Sequence, residues 1–194
     1  MLAELKEYLN QFTFLGPKDI AGFVNIAKII RPKKGDVLLE AGEVSYNMQV
    51  ILKGFVRTYV VRQDGEERTT YIGSRGMPFG STKTILDNRP SNETVVALEN
   101  CIIVSFDMRE FKRLGNSSFG LYRMYASGLE KGMLEAVERL EFHSVLLPEQ
   151  RYEYLLKNRP EVIQNVPLKY IASFIGITPV SLSRLRARIA KGNT

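Results

Sequence analysis

The sequence predicts an α+β chain in three parts: a small antiparallel barrel or sandwich, a long helix, and a compact helix-turn-helix module. Three observations lead there. Between Lys34 and Phe106, short runs rich in β-branched and aromatic residues alternate with single glycines. From 117 to 146 the chain keeps a helical rhythm without a proline. Beyond Pro148, prolines at 160, 167 and 179 and a glycine at 176 punctuate short amphipathic stretches.

The strand-forming runs are MQVILKGFVRTYVV (48–61), TTYIG (69–73), ETVVALE (93–99) and CIIVSF (101–106), separated by Gly35, Gly42, Gly54, Gly65, Gly76 and Gly80. Short strands with regular glycine turns suit an antiparallel barrel or sandwich, and Asp64-Gly65 marks a hairpin tip. Neither a tandem repeat nor a low-complexity stretch is present.

In SSFGLYRMYASGLEKGMLEAVERLEFHSVL (117–146), Leu129, Met133, Val137 and Leu140 recur at steps of four, four and three. Such a stripe can pair with its copy in a second subunit or be buried within one. Leu134 and Phe142 lie off the stripe and are free to pack on the barrel. Gly128 and Gly132 cost helix propensity but permit close approach.

Pro148 opens a separate helix, PEQRYEYLLKNRP. In VPLKYIASFIG, Pro167 suits a first turn, Leu168, Ile171, Ala172 and Ile175 recur at helical spacing, and Gly176 is a stop. The next helix starts at once, with Thr178 as cap, Pro179 at its first position and Leu182, Leu185 and Ile189 as its apolar stripe. Two short helices across a tight turn form a helix-turn-helix. The face opposite the stripe presents Val180, Ser183, Arg184, Ala187 and Lys191, with Ser181, Arg186 and Arg188 on the flanks.

Charge supports a role for that face. The chain has a net charge of +6. All 21 acids and 22 of the 27 bases fall in residues 1–161, so 162–194 holds five bases (Lys169, Arg184, Arg186, Arg188 and Lys191) and no acid. A positive field gathered on one short module suits phosphates at the flanks and base edges at Arg184.

Other chemistries find little support. A single cysteine, Cys101, and a single histidine, His143, exclude an internal disulfide and a zinc site of the usual composition. G-x-S-x-G, P-loop and H-E-x-x-H patterns are absent, so an enzyme is not expected. The first twenty residues mix charge throughout, and nowhere do 18 apolar residues run together. A cytoplasmic protein without membrane contact is expected.

The framework KGDVLLEAGE (34–43), ILKGFV (51–56), RGMPFG (75–80), ALENCIIVSFDMREFKRL (97–114) and QRYEYLL (150–156), followed by the helix-turn-helix, resembles the Crp/Fnr family of bacterial regulators along nearly the full length. The resemblance implies a cyclic-nucleotide-binding-like β-roll (cupin-like, a double-stranded β-helix) over 1–115, a dimerisation helix over 116–147 with Leu129, Met133, Val137 and Leu140 at the seam, and a winged-type helix-turn-helix domain over 148–194. It implies a homodimer on a two-fold symmetric double-stranded DNA operator, and leaves RNA polymerase open as a further partner. Its DNA contacts would fall on Lys169, Thr178, Pro179, Val180, Ser181, Ser183, Arg184, Arg186 and Arg188. Arg184 would stand where the family reads a guanine. Val180 replaces a frequent glutamate.

The same comparison locates an effector pocket at Gly80, Ser81, Thr82, Arg89, Ser91 and Asn92 and shows where the chain departs. Cyclic-nucleotide binders carry Gly-Glu and, about ten residues on, Arg-Ser; here Ser81 replaces the glutamate and Ser91-Asn92 the Arg-Ser pair. A neutral serine lacks a charge-assisted grip on phosphate. Arg89 comes two residues early, before Pro90. Met133 and Leu134 stand near the usual Thr-Ser purine contact. Cyclic AMP is therefore not the expected ligand, no cofactor is expected, and the effector is another small molecule or none. Haem ligation through His143 or Cys101 would need a lone ligand of each type. The rival reading is a β-roll interaction module whose terminal helices only dimerise.

Overall fold

The computed structural model describes residues 3–190 and Gly192. Two helices, α1 (Ala3–Asn10) and α2 (Pro17–Ile26), precede the strands β1 (Lys28–Ile30), β2 (Val37–Leu39), β3 (Asn47–Lys53), β4 (Val56–Val61), β5 (Glu67–Gly73) and β6 (Pro78–Phe79). A short helix α3 (Thr82–Asp87), strands β7 (Thr94–Ala97) and β8 (Ile102–Asp107) and helix α4 (Met108–Gly115) complete the first part. The long helix α5 (Phe119–Ser144) leads to α6 (Pro148–Asn158), α7 (Pro160–Asn165), α8 (Leu168–Ile175) and α9 (Pro179–Ala190).

The strands form two four-stranded antiparallel sheets, ordered β1-β8-β3-β6 and β2-β7-β4-β5. The expected β-roll is therefore present. Between the sheets Leu39, Ile51, Val56, Phe79, Val95 and Ile103 interdigitate as one core. Its β4–β5 hairpin turns at Gly65 as Asp64-Gly65 predicts, with Arg62 N–H donating to the Glu66 carbonyl. A second core lies under α1, α2, α4 and the start of α5, where Phe23, Phe106 and Phe111 pack edge to face. Ser118 ties these helices together: its hydroxyl accepts from Leu121 N–H to cap α5 and donates to Asp19 on α2. The N-terminal helices carried no clear signal in the sequence.

The third core belongs to α6–α9, which bury Tyr152, Leu155, Val162, Ile171, Ile175, Leu182 and Leu185 together with Phe142 of α5 and Ile72 of β5. Phe142 stacks on Phe174 at 5.2 Å, so it packs chiefly against the terminal helices rather than the roll. Leu134, the other residue free to pack on the barrel, is 60% exposed. Its side chain leaves α5 on the side away from the sheets, the cost of a rhythm that marks periodicity but not direction. The expected wing is also missing among the described residues: 148–190 contain no strand. Pro160 opens the helix α7 directly after α6.

Candidate nucleic-acid interface and effector cavity

Helices α8 and α9 meet across Gly176 and Ile177. Gly176 takes φ 84°, a left-handed helix end that suits glycine, and its N–H returns to the Ala172 carbonyl. Thr178 Oγ1 accepts from Ser181 N–H at 3.1 Å and caps α9, with Pro179 at the first position. Leu182 and Leu185 are buried against α8, which sets the rotation of α9. Val180 is 60% exposed, and Ser181, Ser183, Arg184, Arg186 and Arg188 are exposed with it. Lys169 is exposed at the start of α8, its ammonium 4.8 Å from the Tyr170 ring. Lys191 lies outside the described residues.

One flank differs from expectation. Ser181, Arg184 and Arg188 face the N-terminus of α6 across a groove of about 550 Å³, and Arg188 is ion-paired with Glu149 on the far side. Arg188 is thus not an unengaged phosphate contact, because folding brings an acid from 39 positions away beside it.

The module is docked on the roll through the outer face of β4 and β5. Arg57 is 3% exposed there, its guanidinium between the rings of Tyr59 (4.4 Å) and Tyr170 of α8 (4.2 Å). It donates to Thr69 Oγ1 at 2.9 Å and pairs with Glu67 at 2.5 Å. Ser173 of α8 accepts from Thr69 N–H and donates to the Glu67 carbonyl. A charge can be buried here because it is both paired and hydrogen-bonded. Sequence reasoning passed over Arg57; a lone arginine inside a strand-forming run was the available signal.

The inner face of the same strands opens on a cavity of about 690 Å³ between the roll and α5. Thr58 and Tyr71 line it, whereas Arg57 and Ile72, their chain neighbours, face the helical module. Gly80, Ser81, Thr82, Ser91 and Asn92 also line it, and Gly80 lies so close to β3 that a Cβ would stand 2.7 Å from the Asn47 carbonyl oxygen. Arg89 does not line it. That side chain is exposed and paired with Asp87, because the left-handed Asn88 turns the chain outward after α3. Nor do Ser81 and Ser91 offer free hydroxyls: Ser81 Oγ accepts from Thr84 N–H and shares a hydrogen bond with Thr84 Oγ1, whose own proton goes to the Arg89 carbonyl, and Ser91 Oγ donates to the Glu93 carbonyl. Tyr71, Arg139 and Glu135 belong to the cavity as well and were not singled out in the sequence. Burial, then the Glu135 carboxylate, hold the Tyr71 hydroxyl well above its ordinary pKa.

Leu129 and Met133 border the cavity, and with Val137 and Leu140 they stay 48–70% exposed in the single chain. His143 lies elsewhere, edge-on to Phe142 and Phe174, with burial and then Arg151, Arg68 and Arg139 depressing its pKa. Cys101 is buried in the roll core. Among the described residues, no group of three or more His, Cys, Asp or Glu side chains is placed to hold a metal, and no helix is long and apolar enough to cross a membrane.

Residues 30–118 match the cyclic nucleotide-binding domain family. Among solved structures, FixK2 from Bradyrhizobium japonicum superposes with a TM-score of 0.72 at 13% identity over 86% of each chain. A mutant of CooA from Carboxydothermus hydrogenoformans gives 0.66 at 17% identity, over 88% of this chain and 79% of that one. CLP of Xanthomonas campestris, a c-di-GMP responsive global regulator, gives 0.62 at 14% identity, over 89% of this chain and 91% of that one. Over residues 30–118 the roll is thus similar to cyclic nucleotide-binding domains. The chain as a whole has the fold of the Crp/Fnr regulators.

Proposed function

We propose that the protein is a homodimeric, sequence-specific DNA-binding transcriptional regulator of the Crp/Fnr type, without enzymatic activity, controlled by a small molecule other than cyclic AMP. One observation carries the reading: the solvent-facing side of a capped helix-turn-helix holds Arg184 and Arg186 together with small and hydroxyl side chains and no acid. Such a face fits the major groove, where arginine meets guanine O6 and N7. The exposed stripe of α5 is the dimer seam in this reading, which would place two α9 helices for a symmetric operator. Residues 1–115 sense, 116–147 dimerise and 148–194 bind DNA. RNA polymerase is a further partner of a DNA-bound activator, and the cytoplasm its site of action. Selection of bound duplexes from random DNA tests the reading. Recovery of a palindromic site, with binding that weakens steeply as salt rises, is expected. Absence of duplex binding at low salt overturns it.

A further inference from the structure

The cavity against α5 owes its size to missing side chains. Gly128, Gly132 and Ala136 follow one another at helical spacing along the helix face that borders it. A Cβ added at Gly128 or Gly132 would meet nothing within 4 Å. Across the space stand Leu39, Met48, Phe79, Ile85 and Val95, so most of the wall is apolar. At about 690 Å³ it is in the range of small-molecule sites, ~300–1,000 Å³.

The polar groups sort by whether they are already engaged. The Ser81 and Ser91 hydroxyls are turned onto their own loop. Glu93 accepts from the Thr70 hydroxyl at 2.8 Å, and Glu135 stands against the Tyr71 hydroxyl, which also donates to the Pro78 carbonyl. The two cations are different. Neither Lys83 nor Arg139 is in an ion pair among the described residues, and the Arg139 guanidinium lies 5.9 Å from the Tyr71 ring centre at the cavity wall.

We infer that the cavity takes an amphipathic monocarboxylic acid, its apolar body along Gly128, Gly132 and Ala136 and its carboxylate at Arg139 with Lys83 alongside. The inference rests on reading this cavity as the effector site and names the chemistry of the effector. An apolar wall rewards burial of hydrocarbon, and an unpaired guanidinium supplies the bidentate geometry that a carboxylate accepts. The bulky phosphate and ribose of a nucleotide would find no arginine on the phosphate-facing loop, because Arg89 points away from it.

The test is calorimetry on the full chain with octanoate, 1-octanol, 4-phenylbutanoate and cyclic AMP, the octanoate below its micellar concentration. Octanoate is expected to bind about tenfold or more tightly than octanol, which shares its body and lacks its charge. Phenylbutanoate against octanoate separates an aromatic body from an aliphatic one. Arg139→Gln should bring octanoate down to the octanol level and leave octanol unchanged. Gly132→Leu fills the cavity with a better helix former, so circular dichroism should show the helix retained while both acids lose binding. Octanol binding as tightly as octanoate, acids that fail to bind the folded protein, acid binding indifferent to Gly132→Leu, or displacement of acid by equimolar cyclic AMP would each overturn the inference. Acid binding together with absent DNA binding overturns the regulator reading instead.

Discussion

Arg151 on α6 donates from Nη1 to the carbonyl of Ile175, the last residue of α8, at 2.9 Å. The same guanidinium reaches back to α5, from Nε to the Phe142 carbonyl at 2.9 Å and from Nη2 to the His143 carbonyl at 2.7 Å. One cation therefore closes the carboxyl ends of two helices, where unpaired carbonyls and the helix dipole both favour positive charge. It also fixes the long helix α5 against the helix-turn-helix. Arg151→Met should lower unfolding stability by about 1–3 kcal/mol, since it leaves partly buried carbonyls without donors. Urea denaturation measures the loss, and Arg151→Lys, which can serve one carbonyl but not three, should recover only part of it.

Arg184→Ala should cost about 1–3 kcal/mol per half-site on the selected operator and relax preference at one base pair. On a scrambled duplex the loss should be much smaller. Titration of both duplexes at two salt concentrations separates the cases, and equal losses would make Arg184 a phosphate contact.

The Glu149–Arg188 pair makes a different prediction. If α9 binds DNA as proposed, Glu149→Gln should tighten binding to every duplex alike, because it removes an acid beside Arg188. Arg188→Ala should then cost more in the Glu149→Gln background than in the native one and lower the salt slope there by about one. A double-mutant cycle at low salt reads the coupling. Independent effects would mean that DNA does not approach this flank.

Met133→Asp or Val137→Asp puts a charge into the exposed α5 stripe. Both positions face solvent in the single chain, so the fold should tolerate the change while a helix–helix seam would not. Sedimentation should show folded monomers, and an unchanged dimer would place the seam elsewhere.

His143 sets a pH dependence. Its folded pKa is depressed by burial and then by Arg151, Arg68 and Arg139, so the unfolded chain binds the proton more readily. Stability is therefore complete above the ordinary histidine value of about 6.5 and declines as pH falls through it. Urea midpoints at pH 7.5 and 5.5, with and without His143→Gln, test this. The substitution should flatten that part of the profile.

How much was legible depends on where each signal resides. The hairpin at Asp64-Gly65, the Gly176 stop and the Thr178 cap are local: backbone conformation demands those residue types, and the fold places all three as expected. The α5 stripe is legible as a period, but a period has no direction, so it does not tell that Leu134 stays largely exposed. Arg57, Arg151 and the Glu149 partner of Arg188 act between segments up to 113 positions apart, as Arg57 with Tyr170, and no spacing rule reports such meetings. Arg89 departs from its expected place in the pocket for a finer reason: it follows the left-handed Asn88 and pairs with Asp87 at the surface. The cavity's other wall was hidden because Gly128 and Gly132 read as a propensity cost, while their contribution is the volume they leave empty.

Tyr71 and Ile72 are consecutive residues on β5, one facing the cavity and the other packed under the terminal helices. Successive side chains of a strand point to opposite faces, so about 3.3 Å of backbone separates what a ligand would touch from what the terminal helices rest on. If the cavity is the effector site, a tilt of this one strand would be felt on both sides at once, without a relay of side chains. Any such coupling would run both ways. Whatever free energy a bound small molecule lends to the seating of α8 on Ile72, DNA that favours that seating must return to the small molecule in equal measure.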